Sequence, residues 1–257
     1  MDSYSTIFHA RGYELGDDGK VSHGVFVQWF EEAAIQASTV AGYGLAEYDA
    51  LGAVWIMRDI DAEFVGTVEY GDPVAVTTWV SDFKRVQSHR EYEARNATTG
   101  ALLARARTQW VFWDVVKMMP RRLDPQMLAR FTANGKPAVQ ALDWESGRLD
   151  EKVGSFEEGR RVEHDEIDQM HHVNNAVYLR WIEQQCRDAW KAWGVQPVAL
   201  EVTRHYVQYR QAAQDGDLLR VASEAHRDGP NIMWKHAIWR EEKLIAEARS
   251  LATLREG

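Results

Sequence analysis

The chain has 257 residues, of which 45% are hydrophobic and 27% are charged, a composition typical of a globular protein rather than a disordered one. Its formal net charge of −9 argues against a general nucleic-acid binder, which needs a basic surface. A single cysteine, Cys186, excludes an intramolecular disulfide framework. The first residues lack the pattern of a leader, and no stretch has the roughly 18 apolar residues of a membrane span. We therefore expect a soluble, cytoplasmic protein.

The first half of the chain has the pattern of one long helix followed by strands. Residues 25–41 have apolar side chains every three or four positions, which predicts an amphipathic helix that ends at Gly42. A turn and a β-strand follow at 70–80, and the composition of residues 98–100 predicts a hairpin turn. Residues 104–112 alternate between small or aromatic residues and Arg or Gln, as in a strand with one buried face.

The middle of the chain is different. Residues 116–158 show no clear periodicity, and Gly and Pro recur there. We interpret this stretch as a linker with one short helix near 124–132. It separates a first domain at 1–115 from a second domain at 159–257.

The second half repeats the pattern of the first. A predicted helix at 176–193 ends at Gly194, a turn and strand follow at 215–223, and residues 227–231 predict a hairpin turn. The last strand, 246–254, begins Ala-Glu-Ala-Arg-Ser, which nearly matches Ala-Arg-Ala-Arg-Thr at 104–108. Internal similarity of this kind indicates two copies of one α+β unit.

The residues from Asp168 to Tyr178 carry the clearest chemical signal. Asp168 stands four residues before His172, and Asn174 and Asn175 then open the second apolar helix. A helix start offers unpaired N–H groups and the positive end of the helix dipole. Together with a carboxylate, such a helix start can polarise a carbonyl while the carboxylate attacks it or activates water. Asp168 and His172 are therefore candidate catalytic residues.

Each of these residues also has a structural interpretation. Asp168 could be a turn residue, His172 could tie the loop to the sheet, and the two asparagines could simply cap the helix. Cys186 lies on the apolar helix face and is expected in the core rather than as a nucleophile. No Cys or His cluster completes a metal site around His164, Asp168 and His171, so we expect no metal.

The first half lacks an equivalent of this run. Lys20, Ser22 and His23 align with His172, Asn174 and Asn175, so we expect one active site per chain. Glu31 and Glu32 in the first helix are a minor alternative for a catalytic carboxylate.

The sequence resembles a known family in both halves. Asp168 to Tyr178 resembles the Asp-x-x-x-His-Val-Asn-Asn-x-x-Tyr signature of the 4-hydroxybenzoyl-CoA thioesterase superfamily. The first half is similar to the acyl-acyl carrier protein thioesterases in the order and spacing of short motifs: Tyr13-Glu14-Leu15-Gly16, Trp55-Ile56-Met57-Arg58, Tyr70-Gly71-Asp72, Thr78-Trp79, Arg90-Glu91, Thr99-Gly100 and Trp110-Val111. The resemblance extends over about residues 6–254.

The resemblance implies a tandem (double) hotdog, in which each half is a long helix wrapped by a curled antiparallel sheet. It implies a thioester hydrolase that releases free fatty acid from acyl-acyl carrier protein without a cofactor. The second half would then carry the catalytic site, and the first half would shape the acyl pocket. The expected catalytic residues are Asp168, His172 and Asn174, and the backbone N–H groups near Val173 and Asn174 would bind the oxyanion. The expected substrate-binding residues are Val173, Asn175, Tyr178, Trp29, Phe30 and Ala33.

The sequence departs from the plant members of the family at two positions. Met170 stands where they have an asparagine, and Ala212 stands where they have a glutamate. This favours an Asp-centred mechanism like that of the simpler single-hotdog thioesterases. Two alternatives stay open, an acyl-CoA thioesterase of the same fold and a non-catalytic protein that binds acyl thioesters. The Val-Asn-Asn run argues against a hotdog hydratase.

The partner expected from the resemblance is an acyl carrier protein, through its 4'-phosphopantetheine thioester, or acyl-CoA. Either a monomer or a homodimer is compatible with a double hotdog. Five cations could form a docking patch for an acidic carrier or could be solvated surface: Lys117, Arg121, Arg122, Arg160 and Arg161.

Overall fold

The structure is a computed structural model, and it describes residues 1–144, 151–194 and 200–254. The chain divides into two compact units, Met1–Gln140 and Ala141–Gly257. Each unit contains one 18-residue helix and a five-stranded antiparallel sheet, so the predicted α+β class is confirmed. No helix in the described part of the chain is long and apolar enough to cross a membrane.

The first unit contains three helices and six strands. The helices are α1 (His23–Val40), α2 (Leu45–Leu51) and α3 (Pro125–Leu128). The strands are β1 (Tyr4–His9), β2 (Ala53–Phe64), β3 (Pro73–Lys84), β4 (Gln87–Asn96), β5 (Leu102–Asp114) and the short β6 (Met119–Pro120). The order across the sheet is β1-β3-β4-β5-β2, with β6 paired to β5.

Helix α1 forms where the sequence predicts it. Its buried side chains include Phe26, Phe30, Ala33 and Ala37, which recur every three or four residues and so lie on one face. This face packs against β1 and β3. The helix ends at Val40, and Gly42 then adopts a φ of 88°, which a glycine does without steric cost.

The second unit has the same strand order as the first. It contains β7 (Glu151–Arg161), α4 (Asn175–Ala192), β8 (Leu200–Tyr209), β9 (Leu218–Asp228), β10 (Asn231–Arg240) and β11 (Lys243–Leu254). The sheet order is β7-β9-β10-β11-β8, which repeats β1-β3-β4-β5-β2 element for element. The predicted internal similarity is therefore a repeat of topology, with α4 in the place of α1.

Tryptophan side chains fill much of the core of the second unit. Trp190 on α4 and Trp193 directly after it pack on Trp234 of β10 at centroid distances of 5.1 and 5.6 Å, and Trp190 meets Trp193 edge-on at 5.3 Å. A Cβ on Gly154 would lie 2.6 Å from the Trp193 ring, so glycine makes room for that ring. These rings give the second unit its own apolar core.

The stretch predicted as a linker, 116–158, contains regular structure. It holds β6, then α3 in the place of the short helix expected near 124–132, and the start of β7 at Glu151. Residues 134–138 run along the sheet of the first unit, where the Ala138 N–H donates to the buried Glu91 carboxylate at 2.8 Å. The predicted domain bounds at 115 and 159 depend on periodicity in the sequence. Periodicity detects neither short strands nor segments held by single polar contacts.

Candidate active site

Residues 167–173 form a closed loop before α4. Ile167 and Val173 make an isolated antiparallel bridge, and the Asp168 N–H donates to the His172 carbonyl at 2.9 Å. His171 turns the chain with a φ of 61°, in the left-handed region that non-glycine residues rarely occupy. The Asn174 N–H donates to the Glu166 carbonyl at 3.0 Å, which joins the two ends of the loop.

This loop brings Asp168 and His172 together, as the sequence predicts. The His172 Nδ1 lies 3.5 Å from the Asp168 Oδ2, and the Asp168 and His172 side chains are 23% and 33% exposed. The Met170 N–H donates to the other carboxylate oxygen at 2.8 Å. The carboxylate is therefore fixed in position by its own loop and still open to a small reactant.

Asn174 acts as the N-cap of α4. Its side chain accepts a hydrogen bond from the Ala176 N–H at 3.0 Å, and its own carbonyl accepts one from the Val177 N–H. The helix start therefore lies directly after the Asp168–His172 pair, and it brings the positive end of the helix dipole to that pair.

The structure argues against the oxyanion donors named from the sequence. The Val173 N–H donates to the Ala213 carbonyl at 2.9 Å, and the Asn174 N–H donates to Glu166. Both groups therefore hold the loop in place, and neither is available to an oxyanion in this arrangement. The sequence could not show this, because Ala213 lies 40 residues further along the chain.

Tyr178 supports the loop before α4 through its hydroxyl and its ring. Its side chain is 2% exposed, and its hydroxyl accepts a hydrogen bond from the Ala213 N–H at 3.4 Å. Burial raises the pKa of Tyr178 to about 12, so its hydroxyl stays protonated. Its ring packs edge-on against Tyr209, whose hydroxyl donates to the Asn175 carbonyl at 3.0 Å. In this arrangement Tyr178 supports the loop and Asn175 meets Tyr209 through its carbonyl, and the contact of Tyr178 and Asn175 with a substrate stays a prediction.

Glu166 is a buried carboxylate that the sequence reasoning missed. It is 8% exposed, and it accepts hydrogen bonds from the Trp181 Nε1 at 2.8 Å and from the Glu163 N–H at 3.0 Å. The sequence does contain one signal for Glu166. It follows Glu163 by three residues, which is the spacing of a capping box. Glu166 fixes the entry to the loop, two residues before Asp168.

Arg160 belongs to the same cluster and is not a solvated surface cation. Its guanidinium lies 4.5 Å from the centre of the Trp181 ring and 3.5 Å from the Glu166 carboxylate. Burial lowers the pKa of Arg160, although Glu166 opposes that shift. Of the predicted pair, Arg161 is exposed and Arg160 is part of the support for the site.

The first-unit residues predicted to bind the acyl chain are all buried on α1. Trp29 stacks on Phe8 at 5.8 Å, Phe30 stacks on Tyr92 at 5.0 Å, and Ala33 is fully buried. They lie on the helix that packs against β1 and β3. Their contact with an acyl chain stays a prediction.

The first unit repeats the loop but lacks the reactive pair. Leu15 and Val21 make the equivalent isolated bridge, and the Gly16 N–H donates to the Lys20 carbonyl at 2.8 Å. Gly16 therefore stands where the second loop has Asp168, and Lys20 stands where it has His172.

The other candidates named from the sequence lie on α1 and α4. Glu32 accepts a hydrogen bond from Gln36 one helical turn away, as on an ordinary helix surface, and Glu31 is half-buried on the same helix. Cys186 is 3% exposed in the core of the second unit, and burial raises the pKa of its thiol. The thiol is therefore not poised as a nucleophile.

Known proteins match both halves of the chain. The profile of the acyl-ACP thioesterase N-terminal domain matches residues 1–131, and that of the acyl-ACP thioesterase C-terminal domain matches residues 150–252. The palmitoyl-acyl carrier protein thioesterase of Cuphea hookeriana, a chloroplastic protein, is 25% identical over 186 residues. That alignment covers 68% of this chain and 45% of the relative. The oleoyl-acyl carrier protein thioesterase 1 of Arabidopsis thaliana is 20% identical, over 70% of this chain and 54% of the relative.

Solved structures share the fold over nearly the whole chain. A candidate oleoyl thioesterase from Lactobacillus plantarum superimposes with a TM-score of 0.85 at 17% identity, covering 99% of this chain and 97% of that one. The 12:0-ACP thioesterase from Umbellularia californica gives a TM-score of 0.76 at 16% identity, covering 98% and 94%. The chain spans about half the length of the curated relatives that it matches. From the two domain profiles, this chain belongs to the acyl-ACP thioesterase family.

Proposed function

We propose that the chain is a double-hotdog thioester hydrolase that releases free fatty acid from acyl-acyl carrier protein. The observation that carries the proposal is the loop before α4, which holds the Asp168 carboxylate 3.5 Å from His172 at a helix start. Membership of the acyl-ACP thioesterase family supports the substrate class. The cytoplasmic location stays a prediction, because the curated plant relatives are chloroplastic.

In the proposed reaction, the Asp168 carboxylate takes a proton from a water molecule as that water attacks the thioester carbonyl. The carbonyl oxygen becomes an oxyanion, which the positive end of α4 stabilises. When the intermediate collapses, the carbon–sulfur bond breaks and the thiolate leaves and takes up a proton. His172, with its Nδ1 3.5 Å from the Asp168 Oδ2, orients the carboxylate.

Asp168 could instead attack the carbonyl itself and form an acyl anhydride that water then opens. A single turnover in water enriched in oxygen-18, with mass spectrometry of the protein and of the fatty acid, detects the covalent route when water opens the anhydride at the Asp168 carboxyl carbon. In that case the label appears on Asp168 and the first fatty acid is unlabelled. Label in the fatty acid alone is expected if Asp168 is a base, and it also results if water opens the anhydride at the acyl carbon.

The first unit would shape the acyl pocket. Ala33 is fully buried on the inner face of α1, and Trp29 and Phe30 lie one turn before it. Ala33→Leu would fill space beside them and is expected to shorten the preferred acyl chain. A product profile unchanged by this substitution would place the pocket elsewhere, and urea unfolding would report the cost of overpacking separately.

The activity is tested by thiol release from a panel of acyl-carrier protein and acyl-CoA thioesters of graded chain length. Faster release from carrier-protein thioesters at matched chain length is the expected result. Faster release from acyl-CoA would favour the alternative, an acyl-CoA thioesterase. Tight binding of both substrates without thiol release would favour the non-catalytic protein, for which the Met170 and Ala212 replacements are the motivation.

A further inference from the structure

The hairpin between β5 and β6 exposes a run of apolar side chains. Val116, Met118 and Met119 are 82%, 69% and 52% exposed, and Val115 beside them is 42% exposed. Single exposed apolar residues are ordinary, but a contiguous group on a small protein surface marks an interaction site. None of these residues takes part in the candidate active site.

The hairpin is held rigid by its backbone. The Asp114 carboxylate accepts hydrogen bonds from the N–H groups of Val116 and Lys117 at 3.1 and 2.8 Å. The Val115 N–H donates to the Gly52 carbonyl at 3.0 Å. Met118 adopts a φ of 53°, a conformation that a glycine would adopt at lower cost. The backbone that carries the apolar side chains is therefore held in one arrangement, which reduces the backbone entropy lost when a partner binds.

Basic side chains flank this apolar surface. Lys117 and Arg122 are exposed, whereas Arg121 donates to the Leu51 carbonyl at 2.5 Å and lies 5.9 Å from the Phe112 ring centre. Arg121 thus anchors the base of the hairpin, and Lys117 and Arg122 are the two cations presented to a partner. The chain as a whole carries a charge of −9, so an acidic partner would be attracted at short range by exposed cations such as these.

We propose that the β5–β6 hairpin is the docking surface for an acidic, amphipathic helix of the carrier protein. The proposal rests on the proposed function for the identity of the partner. Lys117 and Arg122 complement carboxylates of that helix, and the flexible side chains of Met118 and Met119 adapt to its apolar face. An anionic lipid surface is disfavoured, because only four apolar residues would enter it while the net charge of −9 is repelled.

The pair Arg160 and Arg161 is the main alternative docking site for the carrier protein, and the structure argues against it. Arg160 is packed between Trp181 and Glu166, so the pair Arg160 and Arg161 offers a partner only Arg161. Of the five cations predicted as a docking patch, Lys117, Arg122 and Arg161 are exposed, and only Lys117 and Arg122 have the exposed apolar side chains of the hairpin beside them.

The test measures binding of holo carrier protein without an acyl group to the full chain by calorimetry, at low and high salt. One variant carries Lys117→Glu and Arg122→Glu, and a second carries Val116→Ser, Met118→Asn and Met119→Ser. The matched control carries Lys84→Glu and Arg130→Glu, which reverse two exposed cations of the same unit. Cosedimentation with vesicles of anionic phospholipid is measured in parallel.

The charge variant is expected to lose about tenfold in affinity at low salt, with the loss shrinking as salt rises. The apolar variant should lose affinity at both salt concentrations, and the control should bind like the unmodified chain. Unchanged binding by both hairpin variants, an equal loss in the control, or an effect confined to vesicle binding would overturn the proposal. Carrier binding through the hairpin without thioester cleavage would overturn the proposed function and leave the docking surface standing.

Discussion

The loops before α1 and α4 have similar backbone hydrogen bonds and different side chains. Each has an isolated bridge, a hydrogen bond that closes the turn, and a left-handed residue, Gly19 in the first and His171 in the second. The first loop uses glycine for the left-handed position and has no carboxylate where Asp168 stands. The second loop has His171 at the left-handed position and carries the Asp168 carboxylate. The repeat therefore sets the backbone of both loops, and the residues placed on that backbone decide which loop carries a candidate catalytic site.

The inner faces of the two sheets also carry different side chains at equivalent positions. Tyr92 lies opposite Thr78 in the first sheet, and His236 lies opposite Ser223 in the second. In the second sheet the Ser223 hydroxyl meets the His236 Nδ1 at 2.8 Å, and the Ser250 hydroxyl meets its Nε2 at 3.1 Å. In the first sheet Tyr92 instead stacks on Phe30. At this position the first sheet therefore has an aromatic contact, and the second has a histidine held by two hydroxyl groups.

The largest expected effect comes from the carboxylate itself. Asp168→Asn keeps the size and shape of the side chain but removes the base, so turnover should fall by about 10²–10⁴-fold. Gly16→Ala, at the equivalent position of the first loop, should leave turnover within about twofold, since a general base there plays no part. Steady-state thiol release, with circular dichroism to verify folding, measures both. Comparable losses in the two variants would mean that the loops are not divided into active and inactive copies.

The next effect concerns the glutamates that precede the loops. Glu166→Ala leaves the Trp181 Nε1 and the Arg160 guanidinium without their carboxylate, which should cost about 2–4 kcal/mol of unfolding free energy. Glu14→Ala removes a hydrogen bond to the Arg11 N–H at a more exposed site, and about 0.5–1 kcal/mol is expected. Urea denaturation with matched m-values compares the two. Equal costs would show that the Trp181–Arg160 cluster adds nothing to the second loop.

Two buried groups, one in each unit, should make opposite contributions to the pH dependence of stability. Burial lowers the pKa of His236 to about 3, whereas an unfolded histidine titrates near about 6.5. Its contribution to stability is therefore present above pH 6.5 and is lost as the pH falls toward 3. Burial raises the pKa of Asp59 in the first unit to about 6, from about 3.9 unfolded. Its contribution is present below pH 3.9 and is lost as the pH rises toward 6.

Two substitutions separate these contributions. His236→Gln should flatten the loss of stability between pH 6.5 and 4, and Asp59→Asn should flatten the opposite trend between pH 4 and 6. Urea unfolding at pH 4, 5.5 and 7 measures each slope. A wild-type slope retained in His236→Gln would show that another group controls the acid sensitivity of the second unit.

The smallest effect concerns the hydroxyl of Tyr178. Tyr178→Phe removes the hydrogen bond to the Ala213 N–H and should cost about 1 kcal/mol, with a modest fall in kcat because the loop loses a support. Phe26, at the equivalent position of α1, has no hydroxyl, so Phe26→Tyr should bring no such gain. A fall in kcat as large as that of Asp168→Asn would instead place the Tyr178 hydroxyl in contact with the substrate.

Much of the fold is readable from local pattern. The alternation of Ala246, Ala248, Ser250 and Ala252 correctly predicts the buried face of β11, because strand side chains alternate whatever their partners are. The spacing on α1 and α4 predicts both helices to within two residues of their ends, and Gly42 and Gly194 mark where they stop. These features depend on residues close together in the chain.

The site is only partly readable, because several of its contacts join distant residues. The pairing of Asp168 with His172 follows from a spacing of four residues. The burial of Glu166 depends on Trp181 and Arg160, and the loss of the Val173 N–H as an oxyanion donor depends on Ala213. No local pattern specifies these partners, so the sequence identifies the reactive residues and not the groups that hold them.

The indole cluster of the second unit supplies an optical signal specific to that unit. Trp193 and Trp234 are stacked at an interplanar angle of 8°, and Trp190 meets each of them almost perpendicularly. Near-ultraviolet circular dichroism should therefore be dominated by these coupled rings. If that signal and the far-ultraviolet signal of the whole chain fade at different urea concentrations, the two units melt separately. Each free energy of unfolding then belongs to one unit rather than to the chain.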